Sequence, residues 1–448
     1  MPAADLRFGA WPSVASPLTD DEIDVLFSPY ADARLIALAV SGGADSLALM
    51  VAADRWRRPG SGRADLLVLT VDHRLRPGSR GEAEAVVRAA TTRGFPAHIL
   101  TWEGEAPTTA IEAAARAARY RLLTAACRAS GASHLLVAHH QRDVAETLLL
   151  RLTHGSGVFG LAAMRPAIDL GGVILARPFL DVPRDRLAAT VAAAGLTAAA
   201  DPMNDDARYE RVRLRRLLPS LADAGMDTAT LATTAAHFRE AADAIDAAAT
   251  QFFAEHVEAD ELAVAWLKPA AFADLPVAVR ERAIARLILA VGGDDYAPRR
   301  EKVAALAAVI ASLPTGRFKR TLGGAVAERR GGRVCFYRET GRQGLPVAPM
   351  PAVFSGIWDR RFAIQMTAGA GAGLTLGALG EAGRRQIGLV GGLHPPDAVA
   401  ALPALWRGQE LVAAAGFSLE PAQLLAARSL VGERLRRPPL FPDFTLAG

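Results

Sequence analysis

The sequence predicts an α/β fold in which a parallel sheet, covered by helices on both faces, precedes a mainly helical part and a small β-containing C-terminal part. The first observation is an alternation of short, apolar, β-rich runs with amphipathic helical runs over residues 34–177. Buried strands separated by helices of that length are typical of parallel sheets. The second observation is a long alanine-rich helical stretch, 221–313, and the third is a glycine-rich section, 352–448, that contains Trp358.

Five strands and four helices are expected in the first part. The strands are 35–40, 66–72, 98–102, 135–138 and 173–176, and the helices are 46–57, 80–93, 109–130 and 142–152. Later helices are expected at 228–257, 276–290 and 298–313, and a hairpin at 322–329 and 333–337 around Gly331 and Gly332. Prolines and a charged run at 205–211 interrupt this pattern, so we expect three domains, 1–220, 221–345 and 346–448.

Length and composition limit the class of protein. A chain of 448 residues is too long for one typical core. Its N-terminal residues lack the basic start and apolar middle of a signal peptide, and no apolar run is long enough to span a bilayer. The two cysteines, Cys127 and Cys335, lack CxxC spacing and indicate neither a disulfide framework nor a metal cluster. We expect a cytoplasmic protein with no membrane partner, and the sequence leaves a homodimer open.

The charge balance is modestly basic. The formal net charge is +4 and the sequence pI is about 9.4, and arginine carries almost all of the positive charge because only three lysines are present. Such a balance permits a phosphate-rich partner without requiring one. It fits equally well with a genome whose base composition favours arginine and alanine.

A glycine-containing loop joins the first predicted strand to the first helix. Its residues are Ser41, Gly42, Gly43, Ala44, Asp45 and Ser46. Glycines let the backbone aim several N–H groups at one anion, and the helix N-terminus adds partial positive charge. The loop has no lysine, so amides, serine hydroxyls and a metal ion would have to meet a phosphate, with Asp45 as magnesium ligand or general base. The alternative is an ordinary turn in which Asp45 or Ser46 caps the helix.

Polar residues follow the second predicted strand. Asp72, His73, Arg74 and Arg76 come where that strand ends, at the carboxyl edge where open parallel sheets bind ligands. Asp72 and His73 are candidates for contacts with adenosine or ribose, and Arg74 or Arg76 for contacts with phosphate or a nucleic acid. The alternative is a solvated loop.

The predicted helix that begins near Thr109 carries charged residues at helical spacing. Glu112, Arg116, Arg119 and Tyr120 recur at intervals that put them on one face. Arg116 or Arg119 is a candidate to meet a triphosphate or an oxyanion. A Glu–Arg pair on a solvated helix is an equally weighted alternative.

A fourth polar segment follows the strand that ends at Ala138. We expect His139, Asp143 and Glu146 to share a helical face that has little basic company. Two carboxylates one turn apart can hold an ammonium group or a metal. A metal site at His139 and Asp143 competes with this interpretation, but the neighbouring sequence lacks a third and a fourth ligand.

These segments, in this order, resemble the tRNA(Ile)-lysidine synthases of the PP-loop ATP pyrophosphatase superfamily. The matching segments are the loop 41–46, the strand end 71–76, the helical segment 115–120 and the segment 139–147. The resemblance covers roughly residues 30–220 and implies the adenine nucleotide α-hydrolase-like fold. The last segment, with His139, His140, Asp143, Glu146 and Thr147, is the most particular to this family.

The resemblance implies a two-step reaction on a tRNA(Ile) with a CAU anticodon. The C2 oxygen of the wobble cytidine is adenylated by ATP, and free L-lysine then displaces AMP to give lysidine. It implies that loop 41–46 grips pyrophosphate, that Asp45 holds Mg²⁺ and that Arg116 faces the phosphate or developing charge. Asp143 and Glu146 would bind the lysine ammonium.

We also expect the arginines around residues 208–216 and the later domains to hold the tRNA. The candidate tRNA-binding residues are Arg76, Arg119, Arg208, Arg211, Arg213 and Arg216. Two positions depart from the family pattern, since His154 stands where an arginine is usual and Val212 where asparagine is common.

Three other functions share some of these features. A tRNA thiolase of the same superfamily would need cysteines paired near the site, and an amidating synthetase would need a glutaminase domain. A nucleotide-sensing or RNA-binding protein without catalysis would be expected to lose Asp45, Asp143 or Glu146. The sequence favours the lysidine-forming enzyme over all three.

Overall fold

The computed structural model describes most of the chain. The described residues are 15–57, 63–74, 78–103, 111–199, 210–294, 297–312, 316–351, 353–366, 373–388, 392–417 and 424–437, with the side chains of 111–114 excepted. They form two compact units, one ending at Ala242 and the other beginning at Asp243. The division into three domains remains a prediction.

The first unit confirms the predicted α/β fold with a mostly parallel sheet. Its strands are β1 (Leu35–Ala39), β2 (Asp65–Asp72), β3 (Ala97–Thr101), β4 (His134–Leu136), β5 (Ala167–Asp169) and β6 (Ile174–Ala176). Its helices are α1 (Asp20–Phe27), α2 (Ala44–Arg57), α3 (Ser79–Thr92), α4 (Ile111–Ser130), α5 (Gln141–Thr153), α6 (Val158–Leu161), α7 (Arg184–Ala193), α8 (Glu210–Asp223) and the start of α9 (Thr228–His256). All five predicted strands are present. The sequence did not predict β5, because Ile168 is its only large apolar residue and no apolar run marks it.

The order of the strands places the polar segments at one edge of the sheet. The order is β3-β2-β1-β4-β6-β5, and all pairs are parallel except β5 with β6. The chain reverses its direction of winding between β1 and β4, and such switch points form ligand-binding crevices in open α/β sheets. The residues that follow β1, β2, β4 and β6 therefore come together at the carboxyl edge.

Both faces of this sheet are buried. Ile36 and Leu38 pack with Trp56 on one face, whereas Ala37 packs with Leu123 on the other. This alternation along β1 is what a strand covered by helices on both sides requires. The sheet is therefore a rigid support for the loops at its edge.

The second unit contains three antiparallel sheets and several helices. A five-stranded sheet has the order β7-β8-β11-β10-β9 and consists of β7 (Val257–Ala259), β8 (Ala265–Leu267), β9 (Lys319–Leu322), β10 (Ala325–Arg330) and β11 (Arg333–Arg338). A four-stranded sheet consists of β12 (Ala348–Pro349), β15 (Thr375–Ala378), β16 (Pro403–Arg407) and β17 (Glu410–Ala414), and a three-stranded one of β13 (Phe354–Trp358), β14 (Phe362–Met366) and β18 (Leu425–Ser429). The helices are the end of α9, α10 (Pro269–Ala273), α11 (Val277–Gly292), α12 (Arg300–Ser312), α13 (Gly380–Ile387), α14 (Pro396–Ala400) and α15 (Val431–Arg436).

The predicted hairpin and the three later helices are confirmed. Arg330 pairs with Arg333 across Gly331 and Gly332, whose φ values of 54° and 81° are those of a tight hairpin turn that favours glycine. A single hydrophobic cluster joins residues of α9 and α11 to residues of β11, β16 and α15. Of the helices that the structure describes, none has the length and apolar character needed to cross a membrane.

Candidate active site at the carboxyl edge of the parallel sheet

The loop between β1 and α2 is held in shape by its own serines. Ser46 Oγ accepts a hydrogen bond from the Ser41 N–H at 3.1 Å and donates one to the Gly43 carbonyl at 2.9 Å. Gly42 has a φ of +88°, and a Cβ added there would lie 3.3 Å from Val86 Cγ2. The turn therefore requires glycine at position 42. Since α2 begins directly afterwards at Ala44, the unpaired N–H groups of its first turn lie at this loop, an arrangement that suits an anion.

Asp45, in the first turn of α2, remains ionised in this setting. Its Oδ2 lies 3.6 Å from His140 Nε2, and its Oδ1 lies 3.4 Å from Arg184 Nε. Burial alone would raise the pKa of Asp45, but His140, Arg184 and Arg142 hold it below its ordinary value. A charged carboxylate beside a loop that suits an anion is the kind of ligand that magnesium prefers.

The donor set fits a magnesium ion that is shared with a nucleotide. The carboxylate of Asp45 is 30% exposed, and Oδ1 accepts no hydrogen bond within the described parts of the chain. Those parts contain no group of three or more side chains able to hold a metal ion. Magnesium commonly takes one or two protein carboxylates and completes its octahedron with phosphate oxygens and water.

His140 connects Asp45 to Asp143. It is buried and forms the N-cap of α5: its N–H donates to Asp143 Oδ2 at 3.0 Å, and the Asp143 N–H donates to His140 Nδ1 at 3.4 Å. In the neutral ring Nδ1 accepts this hydrogen bond, so Nε2 carries the proton and faces Asp45. Burial lowers the pKa of His140, but Asp143 and Asp45 outweigh it and raise that pKa above the ordinary value.

The predicted helical face of His139, Asp143 and Glu146 is wrong at its first residue. The helix begins at Gln141, so His139 precedes it in the extended segment after β4. The reason is local: His140 is the N-cap residue, so the helix begins only after it.

The end of β2 is organised by a buried carboxylate. Asp72 Oδ1 accepts hydrogen bonds from the Arg74 N–H at 3.0 Å and from Ser79 Oγ at 2.7 Å. Burial would raise the pKa of Asp72, and these two hydrogen bonds hold it below its ordinary value. His73 packs edge-on against Trp102, with ring centroids 6.4 Å apart. Contacts of Asp72 and His73 with adenosine or ribose remain predictions.

Several arginines converge beside this edge. The guanidinium of Arg116 is buried at Nε and Nη2, and neither nitrogen has a hydrogen-bond partner within the described residues. Its Cζ and that of Arg119 lie 5.8 and 5.2 Å from the ring centre of Tyr120. Burial, partly offset by Tyr120 and reinforced by Arg119, Arg211 and Arg177, lowers the pKa of Arg116 to about 10. A buried guanidinium with two nitrogens that lack hydrogen-bond partners indicates a place for an anion.

His139 lies among the same arginines. Arg177 Nε donates a hydrogen bond to His139 Nδ1 at 3.1 Å, and Arg177 Nη1 donates to the Arg165 carbonyl at 2.6 Å. Burial holds the pKa of His139 well below its ordinary value, and the charges of Arg177, Arg116, Arg119 and Arg211 act in the same direction. His139 is therefore neutral at physiological pH.

Glu146 does not lie on a face with little basic company, and that expectation is wrong. Its buried carboxylate accepts two hydrogen bonds from Arg215, at 2.7 and 3.2 Å, and its Oε1 lies 3.5 Å from Arg142 Nε. Arg142 is one turn earlier on α5, whereas Arg215 comes from α8, which sequence spacing could not place. Binding of a lysine ammonium by Asp143 and Glu146 remains a prediction.

The predicted tRNA-binding arginines have different positions. Arg211 is half-buried in α8 near Arg116, whereas Arg213 and Arg216 are exposed on the same helix. Arg76, Arg208 and the side chain of Glu112 lie outside the described residues. The two departures from the family pattern are both located: His154 Nε2 lies 3.8 Å from Glu210 Oε2, and Val212 is buried.

Sequence reasoning missed three residues of this site, Arg177, Arg184 and Arg215, and assigned no role to His140. Arg177 directly follows a predicted strand, and its position at the carboxyl edge was a signal that could have identified it. Arg184 begins a helix just after the same strand. Arg215 gave no such signal, because its role depends on how α8 packs against α5.

Comparisons with known proteins identify the family of this chain. A family model described as a PP-loop domain matches residues 17–221. A tRNA(Ile)-lysidine synthase of Rhodopseudomonas palustris is 43% identical over 71% of this chain and 94% of its own length. Those of Bradyrhizobium diazoefficiens and Ruegeria pomeroyi are 40% and 36% identical, over 75% and 85% of this chain and 96% and 88% of their own lengths.

A solved structure, the U34-tRNA thiolase of Methanococcus maripaludis, aligns with a TM-score of 0.42 and 14% identity over 49% of this chain and 77% of its own. Nothing about activity follows from a likeness of that size. The sequence relatives have a much higher identity over most of their lengths, and the matched PP-loop region contains every described residue of the sheet edge. The chain therefore belongs to the tRNA(Ile)-lysidine synthase family of ATP-dependent PP-loop enzymes.

Proposed function

We propose that the protein joins free L-lysine to C2 of the wobble cytidine in a tRNA(Ile) with a CAU anticodon. In the first step the C2 oxygen attacks the α-phosphorus of ATP and pyrophosphate leaves. In the second step the ε-amine of lysine attacks C2, AMP leaves with the oxygen, and the amine loses its proton. Such a cytoplasmic enzyme would act on the tRNA before translation.

One relationship carries this proposal: His140 connects the carboxylate of the phosphate loop with a carboxylate of α5. Its Nε2 lies 3.6 Å from Asp45 Oδ2, and its backbone N–H donates to Asp143 Oδ2 at 3.0 Å. ATP bound at Asp45 and lysine bound at Asp143 would thus lie on two sides of one imidazole. A reaction that uses both substrates on one tRNA base needs this proximity.

The ATP side of the site is the loop 41–46. Backbone amides of the loop and the Ser41 hydroxyl bind the pyrophosphate part of ATP, whereas the Ser46 hydroxyl keeps the loop in shape through its hydrogen bond to the Gly43 carbonyl. Asp45 would hold magnesium with the pyrophosphate. The magnesium ion neutralises charge on the phosphates when it is bound. Arg116 meets the α-phosphate, where the charge of the departing groups collects, so that no covalent protein nucleophile is needed.

The lysine side of the site is the first two turns of α5. Asp143 has the more accessible of the two carboxylates, 21% exposed, and binds the lysine ammonium directly. Glu146 is 2% exposed and is paired with Arg215. In the proposed complex its carboxylate contacts both this arginine and the lysine ammonium. The tRNA is held by arginines that include Arg119, Arg211, Arg213 and Arg216, with Arg76 and Arg208.

A tRNA thiolase is the alternative within the superfamily. Its chemistry calls for accessible cysteines near the phosphate loop. Both cysteines here are fully buried, and burial raises the pKa of Cys127 to about 11 and that of Cys335 to about 12. Neither thiol is a competent nucleophile at physiological pH, since the thiolate is the reactive form.

Incorporation of radiolabelled lysine tests the proposal. The protein is incubated with ATP, magnesium, labelled lysine and a CAU-anticodon tRNA(Ile) transcript, and label in the tRNA is expected. Asp45→Asn should abolish labelling, whereas Asp54→Asn, a change of the same type on the same helix, should not. A wild-type protein that leaves the tRNA unlabelled would show that the proposal is wrong.

A further inference from the structure

The hydrogen bond between Arg177 and His139 fixes which nitrogen of the histidine carries its proton. His139 follows β4 and Arg177 follows β6, and these strands pair in parallel with Leu136 opposite Ala176. Both side chains therefore start at the same edge of the sheet. Arg177 Nε lies 3.1 Å from His139 Nδ1, and Arg177 is buried and tied at Nη1 to the Arg165 carbonyl.

A guanidinium can only donate hydrogen bonds, because arginine stays protonated and has no acceptor. His139 Nδ1 must therefore accept, and the proton of the neutral ring lies on Nε2. A second proton on Nδ1 would point directly at the N–H of Arg177 Nε, so that two donors would face each other. It would also add a positive charge near four arginines, Arg116, Arg119, Arg177 and Arg211. The imidazole is therefore held in one tautomer and one charge state.

We propose that His139 is a fixed Nε2–H donor to a phosphate group that binds among these arginines, and that Arg177 is the positioning residue that sets this tautomer. This rests on the proposed function, since that reaction brings phosphates to the site. No proton is transferred: His139 neither accepts the lysine proton nor protonates a leaving group. The same geometry leaves no lone pair on Nε2 for a metal, which disfavours the metal site considered for His139 and Asp143.

The surroundings indicate why the ligand is a phosphate. Arg116 Nε and Nη2 are buried without hydrogen-bond partners within the described residues, and an uncompensated buried charge is costly. A phosphate supplies both the negative charge and several acceptor oxygens. A neutral N–H donor adds one further hydrogen bond to those oxygens without adding to the repulsion between the arginines.

Two sources of phosphate reach this edge in the proposed reaction, the α-phosphate of ATP and a backbone phosphate of the tRNA. Both sources offer the same acceptor to His139 Nε2–H, a phosphoryl oxygen. The experiment below separates the two by adding each ligand alone.

The tautomer can be read directly by NMR. The full-length protein is labelled with ¹⁵N-histidine, and His139 is assigned by comparison with His139→Gln. We expect the Nε2–H tautomer with no titration between pH 5.5 and 8.5. Arg177→Met should allow the other tautomer or titration, whereas Arg177→Lys, which can still donate to Nδ1, should preserve the wild-type pattern.

Ligands are then added separately. A non-hydrolysable MgATP analogue or an unmodified CAU-anticodon tRNA is expected to shift the His139 Nε2 resonance, and the one that does so identifies the phosphate. A resonance that neither ligand shifts overturns the phosphate part of the proposal. An Nδ1–H tautomer, or a ring that titrates in this range, overturns the tautomer part.

Kinetics give an independent readout if Arg177 variants fold poorly. Loss of one preorganised donor typically lowers kcat roughly 100-fold or more, which we expect for His139→Asn because its amide cannot reach the Nε2 position. His139→Gln places an amide N–H near that position and should retain most of the lost rate. His98→Gln, at an exposed site on β3, controls for loss of an imidazole. Equal losses of kcat in His139→Asn and His139→Gln would indicate that the imidazole acts as a base, and would overturn its role as a donor.

These readouts separate the two proposals. If the wild-type protein does not label tRNA with lysine, the proposed function fails, whatever the tautomer is. If it does, but His139 shows the wrong tautomer, only the present inference fails.

Discussion

The imidazole of His140 lies between the carboxylates of Asp45 and Asp143: its Nε2 is 3.6 Å from Asp45 Oδ2, and its Nδ1 is 3.4 Å from Asp143 Oδ2. Asp45 belongs to the loop after β1, and Asp143 belongs to the helix after β4. These two strands are neighbours although about a hundred residues separate them in the chain. A single side chain therefore connects the two halves of the proposed reaction.

The two functions of His140 can be separated by substitution. His140→Ala removes both the cap of α5 and the contact with Asp45, and loss of a side-chain cap costs about 1 kcal/mol. His140→Asn keeps a good cap but is too short to reach Asp45. We expect both variants to lose activity, as measured by lysine incorporation. In urea unfolding at pH 8, where the ion pair contributes least, we expect only the alanine variant to lose the stability of the cap. Equal stability losses in the two variants would show that the cap is unimportant.

Stability should depend on pH through the same pair. The pKa of His140 is raised, so its contribution is complete below the ordinary histidine pKa of about 6.5 and is lost as the pH rises through the folded-state pKa. The pKa of Asp45 is lowered, so its contribution is present above the ordinary value of about 3.9 and is lost as the pH falls through the folded-state pKa.

The contribution of the pair is therefore largest roughly between pH 4 and 6.5. In buffer free of metal ions and nucleotide, the difference in unfolding free energy between wild type and His140→Asn should shrink from pH 5.5 to pH 8. A difference that grows with pH would contradict the ionisation described here.

Arg116 should contribute to activity at the expense of stability. Its pKa of about 10 shows that folding disfavours its charged form, so Arg116→Ala is expected to leave the free energy of unfolding unchanged or to increase it. Its kcat should fall roughly 100- to 1,000-fold, as for loss of a preorganised oxyanion donor. Arg121→Ala, at an exposed position of the same helix, is the control. An Arg116→Ala protein that is clearly destabilised would show that this guanidinium already makes a stabilising contact when no anion is bound.

Gly42 should be needed for the shape of the phosphate loop. Alanine at a φ of +88° is strained by about 1–2 kcal/mol, and its Cβ would press on Val86. We expect Gly42→Ala to raise the KM for ATP. Gly131→Ala has a similar φ of +78° but faces open space, so it should lose stability without changing that KM. The same KM in both variants would argue against a phosphate-binding role for the loop.

Glu146 should affect lysine more than ATP. Glu146→Gln removes one carboxylate of the proposed ammonium site and the partner of Arg215, so we expect the KM for lysine to rise roughly tenfold or more, by analogy with loss of a charged hydrogen bond. The KM for ATP should change little. Glu84→Gln, on the surface of α3, is the control. If the double variant Glu146→Gln with Arg215→Gln regains normal lysine binding, Glu146 acts only through Arg215.

Sequence patterns predicted the strands and the residues at their ends well, because buried parallel strands have a strong apolar signal. The position of loop 41–46, with Asp45 at the start of a helix, follows from the same pattern, since a strand, two glycines and a helix are consecutive in the chain. The resemblance to a known family then added the expected roles of Asp143 and Glu146.

The remaining parts of the site depend on tertiary contacts. Arg215 reaches Glu146 from a helix 69 positions later, and Arg177 reaches His139 across two paired strands. No local spacing encodes either contact. His139 was predicted to lie in the helix because its spacing to Asp143 is helical. The N-cap is His140, however, so the helix begins at Gln141 and His139 lies before it.

The most direct test of the central claim follows ATP and lysine in order on one tRNA. With ATP labelled at its α-phosphate and no lysine present, we expect label to remain on the CAU-anticodon tRNA(Ile). Addition of unlabelled lysine should then release the label as AMP and leave lysidine in the tRNA. Release of ADP and inorganic phosphate instead, or a tRNA that never carries the label, would contradict a shared ATP and lysine site at the edge of this sheet.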